Sequence, residues 1–149
     1  MKYILKFLIV LPFVILLSSF RVKSPDTTYT ISIEITNIRN SKGTIQLELY
    51  RSQKAFEAET CYKTYLISKE EISGNTLSYK ITGLEPGEYG LALLDDENNN
   101  EEMDYGWGMP KEGFGFSDYY HTGWSRPTFS DFNFSLDENR VVMMKVRYM

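Results

Sequence analysis

Tyr29–Tyr50 reads YTISIEITNIRNSKGTIQLELY. Ile31, Ile33 and Ile35 alternate with Ser32, Glu34 and Thr36, and beyond a polar link Ile45, Leu47 and Leu49 repeat the pattern. A period of two puts every second side chain on the same face of an extended strand. Each run therefore carries one apolar face and one polar face. The link, Asn37–Gly43, ends in turn-forming residues. Two alternating runs joined in this way predict a β-hairpin.

Working outward, Tyr62–Ser68 predicts a further strand, and Leu77, Tyr79 and Ile81 mark another. Gly83–Tyr89 (GLEPGEY) is a tight turn, because Pro86 presets φ and Gly87 tolerates positive φ. Tyr89, Leu91 and Leu93 share one face of the strand that follows. Asp131–Leu136 and Val141–Tyr148, separated by the turn Asp137–Arg140, complete the set. Ser52–Thr60 breaks the period around a single apolar anchor, Phe56, and predicts a short helical turn over the sandwich edge. The expected fold is all-β: a single seven-stranded Greek-key-like β-sandwich with one short helical turn and a long ordered loop.

The amino terminus has a different character. Lys2 and Lys6 precede the apolar run Phe7–Leu17 (FLIVLPFVILL), which has the length of a secretory signal core and is too short for a membrane-spanning helix. Residues 1–19 are expected to be a signal peptide, cleaved near Ser19, with 20–28 as a linker and 29–149 as the sandwich domain. An uncleaved N-terminal anchor is the alternative. The expected location is outside the cytoplasm, periplasmic or extracellular, with no stable membrane span once the signal is removed. Removing Lys2 and Lys6 takes the formal net charge from −4 to −6. Such acidity repels phosphates and argues against nucleic acid as a partner. Cys61 is the only cysteine, so no disulfide forms within the chain.

Several segments, in order, resemble a known family: NSKGTIQLELY, GLEPGEY, DDENNNEEMD, GMPKEGFGFS and RPTFSDF. The chain is similar to the domain of unknown function 2141 family of exported bacterial proteins, from about Ile31 to Tyr148. The resemblance implies a transthyretin-like (prealbumin-like) sandwich with no established activity. The family's acidic loop falls on Asp96, Glu97, Asn98, Asn100 and Asp104. Its glycine-rich motif falls on Gly108, Pro110, Glu112, Gly113, Gly115, Phe116 and Ser117. Two positions depart from the pattern. Asp95 stands where the family usually has histidine, and Asp118 where it usually has asparagine.

Asp95–Asp104 (DDENNNEEMD) holds six acidic residues and three asparagines. Asp96, Asn98, Asn100 and Asp104 occupy positions 1, 3, 5 and 9 of a calcium loop of the EF-hand kind. Glu101 replaces the glycine of position 6 and Trp107 the closing glutamate of position 12, so a complete EF-hand is excluded. A partial site would draw on Asp95, Asp96, Asn98, Asn100, Asp104 and Glu112, with Asp118 as a further carboxylate and calcium as the cofactor. The alternative is that Asn and Asp are simply good loop formers and side-chain packing orders the segment. His121 and Cys61 are too far apart in sequence to suggest zinc.

Ten aromatic residues lie between Tyr105 and Phe134. They are read either as a self-packed mini-core burying Phe114, Phe116 and Trp124, or as a binding face of Trp107, Phe114, Phe116, Tyr119 and Trp124 for a glycan, peptide or protein. No nucleophile elbow or Cys–His pairing stands out. The functional expectation is a non-enzymatic exported module of open ligand, calcium-stabilised in one version. The alternatives are a carboxylate-dependent hydrolase of glycans or peptides, using Asp95, Asp104, Glu112 and Asp118, and an assembly role through exposed strand edges.

Overall fold

The computed structural model describes residues 27–149, so the expected signal peptide and most of the linker lie outside the described residues. Within them, ten strands and two short helices run in the order β1 (Tyr29–Thr36), β2 (Thr44–Tyr50), α1 (Gln53–Glu57), β3 (Lys63–Ser68), β4 (Leu77–Leu84), β5 (Gly87–Asp96), β6 (Tyr105–Gly106), β7 (Met109–Pro110), β8 (Gly113–Phe116), α2 (Phe129–Phe132), β9 (Asn133–Leu136) and β10 (Arg140–Lys145). The seven strands expected from sequence are all present as β1–β5, β9 and β10. Three short ones, β6, β7 and β8, lie in the segment expected to be one long ordered loop.

Eight of the strands form two facing sheets, and β6 and β7 pair as a separate two-stranded ribbon. One has the order β10-β1-β4, with β10 parallel to β1; the other has the order β3-β2-β5-β8, with β9 also on β5. The first half of β5 pairs with β9 and its second half with β8. Ser117 welds that joint: its Oγ accepts the Leu91 amide at 2.9 Å and donates to the Phe132 carbonyl at 2.6 Å, with no access to water.

The predicted hairpin of Tyr29–Tyr50 does not form. β1 pairs with β4 and β10, whereas β2 pairs with β3 and β5 in the opposite sheet. The physical reason is that an alternating strand needs an apolar surface opposite it, and a facing sheet satisfies that need as well as a hairpin neighbour does. The Asn37–Gly43 link carries the chain across, with Ile38 buried in the core and Asn37 at φ 65°. The alternation itself holds. Ile31, Ile33, Ile35, Ile45, Leu47 and Leu49 are all at or below 1 % exposure and meet Leu91, Leu93, Val142 and Met144 between the sheets. Burying each such side chain contributes about 1.5–3 kcal/mol.

A second core lies on the outer face of the larger sheet. Tyr50, Phe56, Phe116, Phe129 and Phe132 pack there beneath α1 and α2. Ser52 caps α1 by accepting the Ala55 amide, and Thr128 and Asp131 form a capping box at α2. The strand expected over Asp131–Leu136 begins only at Asn133, because Phe129 and Phe132 turn helically to reach this outer core.

Gly43, in the β1–β2 link, sits at φ +70°, and a Cβ there would lie 1.8 Å from the Asp96 carbonyl oxygen. Gly74 has a similar φ of +58° but nothing within 4 Å. Gly74→Ala is expected to cost about 1–2 kcal/mol from the left-handed backbone alone. Gly43→Ala should cost several times that, since backbone must move. Equal midpoints in urea unfolding would contradict the contact.

Candidate functional site

The acidic loop leaves β5 with its first two carboxylates fully buried. Asp95 forms an ion pair with Lys69, both side chains being almost wholly out of water, and accepts the Tyr148 hydroxyl on its other oxygen. Lys69 Nζ also donates to the Lys42 carbonyl at 2.6 Å. Burial, and then the bond to Asp95, pushes the Tyr148 hydroxyl well above the usual tyrosine range, so it remains a donor.

Asp96 accepts the amides of Asn100 at 3.2 Å and Glu101 at 2.9 Å. Glu112 accepts the amides of Glu97 at 3.0 Å and Asp104 at 3.2 Å. Asn98 Nδ2 donates to Asp104 Oδ2 at 2.6 Å, and the Asn98 and Asn100 carbonyls make Asx turns to the amides two residues on. Asn99 and Glu101 adopt φ near +60° within these turns. Backbone donors that would otherwise be unpaired are thus satisfied by the loop's own side chains.

The six candidate calcium ligands are therefore divided among different partners. Asp95 faces a lysine, Asp96, Asn100 and Glu112 hold amides, and Asn98 and Asp104 hold each other. Among the described residues no three or more His, Cys, Asp or Glu side chains are grouped to hold a metal ion. Asp118 lies elsewhere, accepting the Met143 amide and Arg140.

Beside the loop, the outer face of the larger sheet opens into a cleft of about 670 Å³. Alternation along β2 places Ile45, Leu47 and Leu49 inward and Gln46, Glu48 and Tyr50 outward, so these three line the cleft. They form one polar row. Gln46 Nε2 donates to Glu48 Oε1 at 3.2 Å, and the Tyr50 hydroxyl donates to Glu48 Oε2. Burial, reinforced by the bond to Glu48, raises the Tyr50 hydroxyl far above its ordinary value and keeps it protonated. Gln46 is only 7 % exposed, and its Oε1 has no hydrogen-bond partner.

The walls are largely aromatic and sulfur-bearing. Tyr105 and Met109 of the β6–β7 ribbon, Phe114 and Phe116 of β8, and Trp124 all line the cleft. Among the described residues Arg126 is the only lysine or arginine that lines the cleft, and it is engaged with Glu59 at 2.8 Å and with the Phe56 carbonyl at 2.9 Å. His121 is buried against Phe114, Phe116 and Tyr119.

The expected binding face is split by this geometry. Phe114, Phe116 and Trp124 line the cleft, whereas Trp107 stands clear of it at the tip of the ribbon, fully exposed at φ 53°. Tyr119 packs beside the outer core and contacts His121. The mini-core reading is right for Phe116, but Trp124 is 84 % exposed rather than buried. Gln46, Glu48 and Tyr50 were missed altogether. Their signal was present as polar alternation in β2, but an outward face of a sandwich ordinarily meets water. What hides it here is the later segment that folds over.

Glu97 ties the loop to the β1–β2 link, taking hydrogen bonds from Arg39 and Asn40. The bond to Arg39, first among its causes, holds the Glu97 carboxyl below its ordinary value of 4.5. A depressed folded value stabilises the protein above 4.5, and that contribution is lost as pH falls through the folded value. Because the pair is partly exposed, Glu97→Gln should lower the melting temperature by only a few degrees at pH 7. The deficit should narrow as pH falls below 4.5 and close once pH lies below the folded value. A deficit that persists unchanged at acid pH would refute this role.

A family model described as "Uncharacterized protein conserved in bacteria (DUF2141)" matches residues 33–144. No curated protein and no solved structure matches the chain. The matched region runs from within β1 to within β10 and so contains the acidic loop and nearly all of the cleft lining. With three quarters of its length matched, this chain belongs to the DUF2141 family.

Proposed function

We propose that the protein is an exported, non-catalytic binding module that takes a small amphipathic molecule in the cleft outside β2, β5 and β8. The observation that carries this reading is the cleft itself. A volume of about 670 Å³ is the size of small-molecule sites, and its aromatic walls surround a compact polar row on the floor. Tyr105, Met109, Trp124 and Met149 are large apolar side chains left exposed in one place. Apolar surface gathered around a concavity marks binding sites more than chance exposure does.

Export is supported by the basic start and apolar run of the amino terminus. The hydrolase alternative gains no support. Asp95, Asp104, Glu112 and Asp118 do not line the cleft, and each is engaged by a lysine, an amide, an asparagine or an arginine. A carboxylate held in this way lacks the open approach that a general acid or base needs.

The test uses the two indoles. In a Trp107→Phe background, Trp124 becomes the sole tryptophan reporter at the mouth of the cleft. Small amphipathic amines, alcohols and sugars should be screened for a blue shift of its emission and for a rise in melting temperature. Trp124→Ala is expected to weaken a hit by about tenfold, as loss of an aromatic anchor does. Silence of both readouts across the panel would count against the proposal.

A further inference from the structure

Resting on the cleft as a binding site, we infer that its ligand is a small organic cation, an ammonium or guanidinium group on an apolar body. The argument begins with the floor. The orientation of the Gln46 amide is fixed by its neighbour, because a carboxylate oxygen of Glu48 requires a donor and only Nε2 supplies one. Flipping the amide would set carbonyl oxygen against carboxylate oxygen. Gln46 Oε1 is therefore left as a buried acceptor without a donor. An acceptor in that position costs free energy until a donor reaches it.

Glu48 adds to this demand. It is half-buried, and a carboxylate has about four lone-pair sites, of which Gln46 and Tyr50 occupy two. Both of its protein donors are neutral, so its charge has no partner on the floor. The floor offers acceptors and net negative charge.

The surroundings point the same way. Glu59, Glu101 and Glu102 also line the cleft, so that among the described residues four carboxylates, with Glu48, stand against the one guanidinium of Arg126. That guanidinium is already bonded to Glu59 and to a carbonyl. Among the described lining residues an anionic ligand would find no unengaged lysine or arginine, and it would meet acidic groups on the floor and the rim. The walls suit a cation as well, since Tyr105, Phe114, Phe116 and Trp124 line the cleft, and aromatic rings pack an alkyl stem and attract a positive charge over their faces. The cleft is of small-molecule size and Gln46 lies deep, which favours a free small ligand over a side chain on an extended peptide.

The experiment compares three probes of one shape, hexylammonium, hexanol and hexanoate, by calorimetry on the folded domain and by Trp124 emission. Hexylammonium should bind at least about tenfold more tightly than hexanol, as expected for a desolvated charge pair, and hexanoate should not bind. Glu48→Gln should abolish the preference for ammonium over alcohol. Gln46→Leu, a second variant that removes the unpaired acceptor, should weaken hexylammonium more than hexanol, because a charged donor makes the stronger bond. Equal binding of ammonium and alcohol by the parent protein, tighter hexanoate, or a preference that survives Glu48→Gln would each overturn the cation assignment while leaving the cleft as a binding site. If no probe binds and Trp124 is silent to the wider panel, the binding site itself falls. A tetralysine peptide binding more tightly than hexylammonium would overturn the small-ligand assignment in favour of a peptide.

Discussion

A lysine and an aspartate that meet out of water hold one end of this sandwich together. Lys69 follows directly after β3, and Asp95 lies one residue before the end of β5. Lys69 also reaches the Lys42 carbonyl in the β1–β2 link, and Asp95 takes the hydroxyl of Tyr148 near the carboxyl terminus. Tyr148 in turn accepts the Arg39 amide at 3.0 Å, and Arg39 reaches Glu97 and the Lys111 carbonyl. Four separated parts of the chain converge on one charge pair. Two buried charges cost desolvation free energy, which attraction offsets only when both remain and their other valences are met. The link, the acidic loop and the terminus must therefore be in place together.

That constraint decides what the acidic loop does. Its first two carboxylates are directed inward, Asp95 toward a lysine and Asp96 toward backbone amides, and they fold the segment back over the sheet. The returning chain then builds β8 on the free half of β5. Gly113 and Gly115 lie where a Cβ would meet Val146, Tyr148 or the Lys145 carbonyl, so β8 closes tightly on the carboxyl-terminal strand region. Phe114 and Phe116, alternating with these glycines, project to the opposite face and help line the cleft. The larger sheet thus has an aliphatic core on one face and an aromatic core with a cleft on the other.

Much of this was legible in the residues. The isoleucines of β1 and the leucines of β2 and β5 announce their strands because each has one buried face and period two survives on it. Their partners were not legible, because alternation says which face is buried and is silent about which strand lies alongside. That is why β1 and β2 read as a hairpin but lie in opposite sheets. The Gly-Phe-Gly-Phe alternation of β8 was in plain view, yet four residues are too few to distinguish a strand from a glycine-rich turn. The cleft was hidden for a different reason. Gln46, Glu48 and Tyr50 look like an ordinary solvated strand face until Met103, Tyr105, Met109 and Trp124–Pro127 are known to stand around them.

If the Lys69–Asp95 pair has the organising role given to it, its two members must be unequal in single and joint removal. The direct measurement is a double-mutant cycle by urea unfolding, with Lys69→Met, Asp95→Leu and the two combined. Each single change strands a buried charge and should cost about 3–5 kcal/mol. The double change leaves an apolar contact and should be less damaging than the sum of the two, by at least about 2 kcal/mol. Single substitutions that cost nothing, or a double variant whose loss equals that sum, would contradict the account.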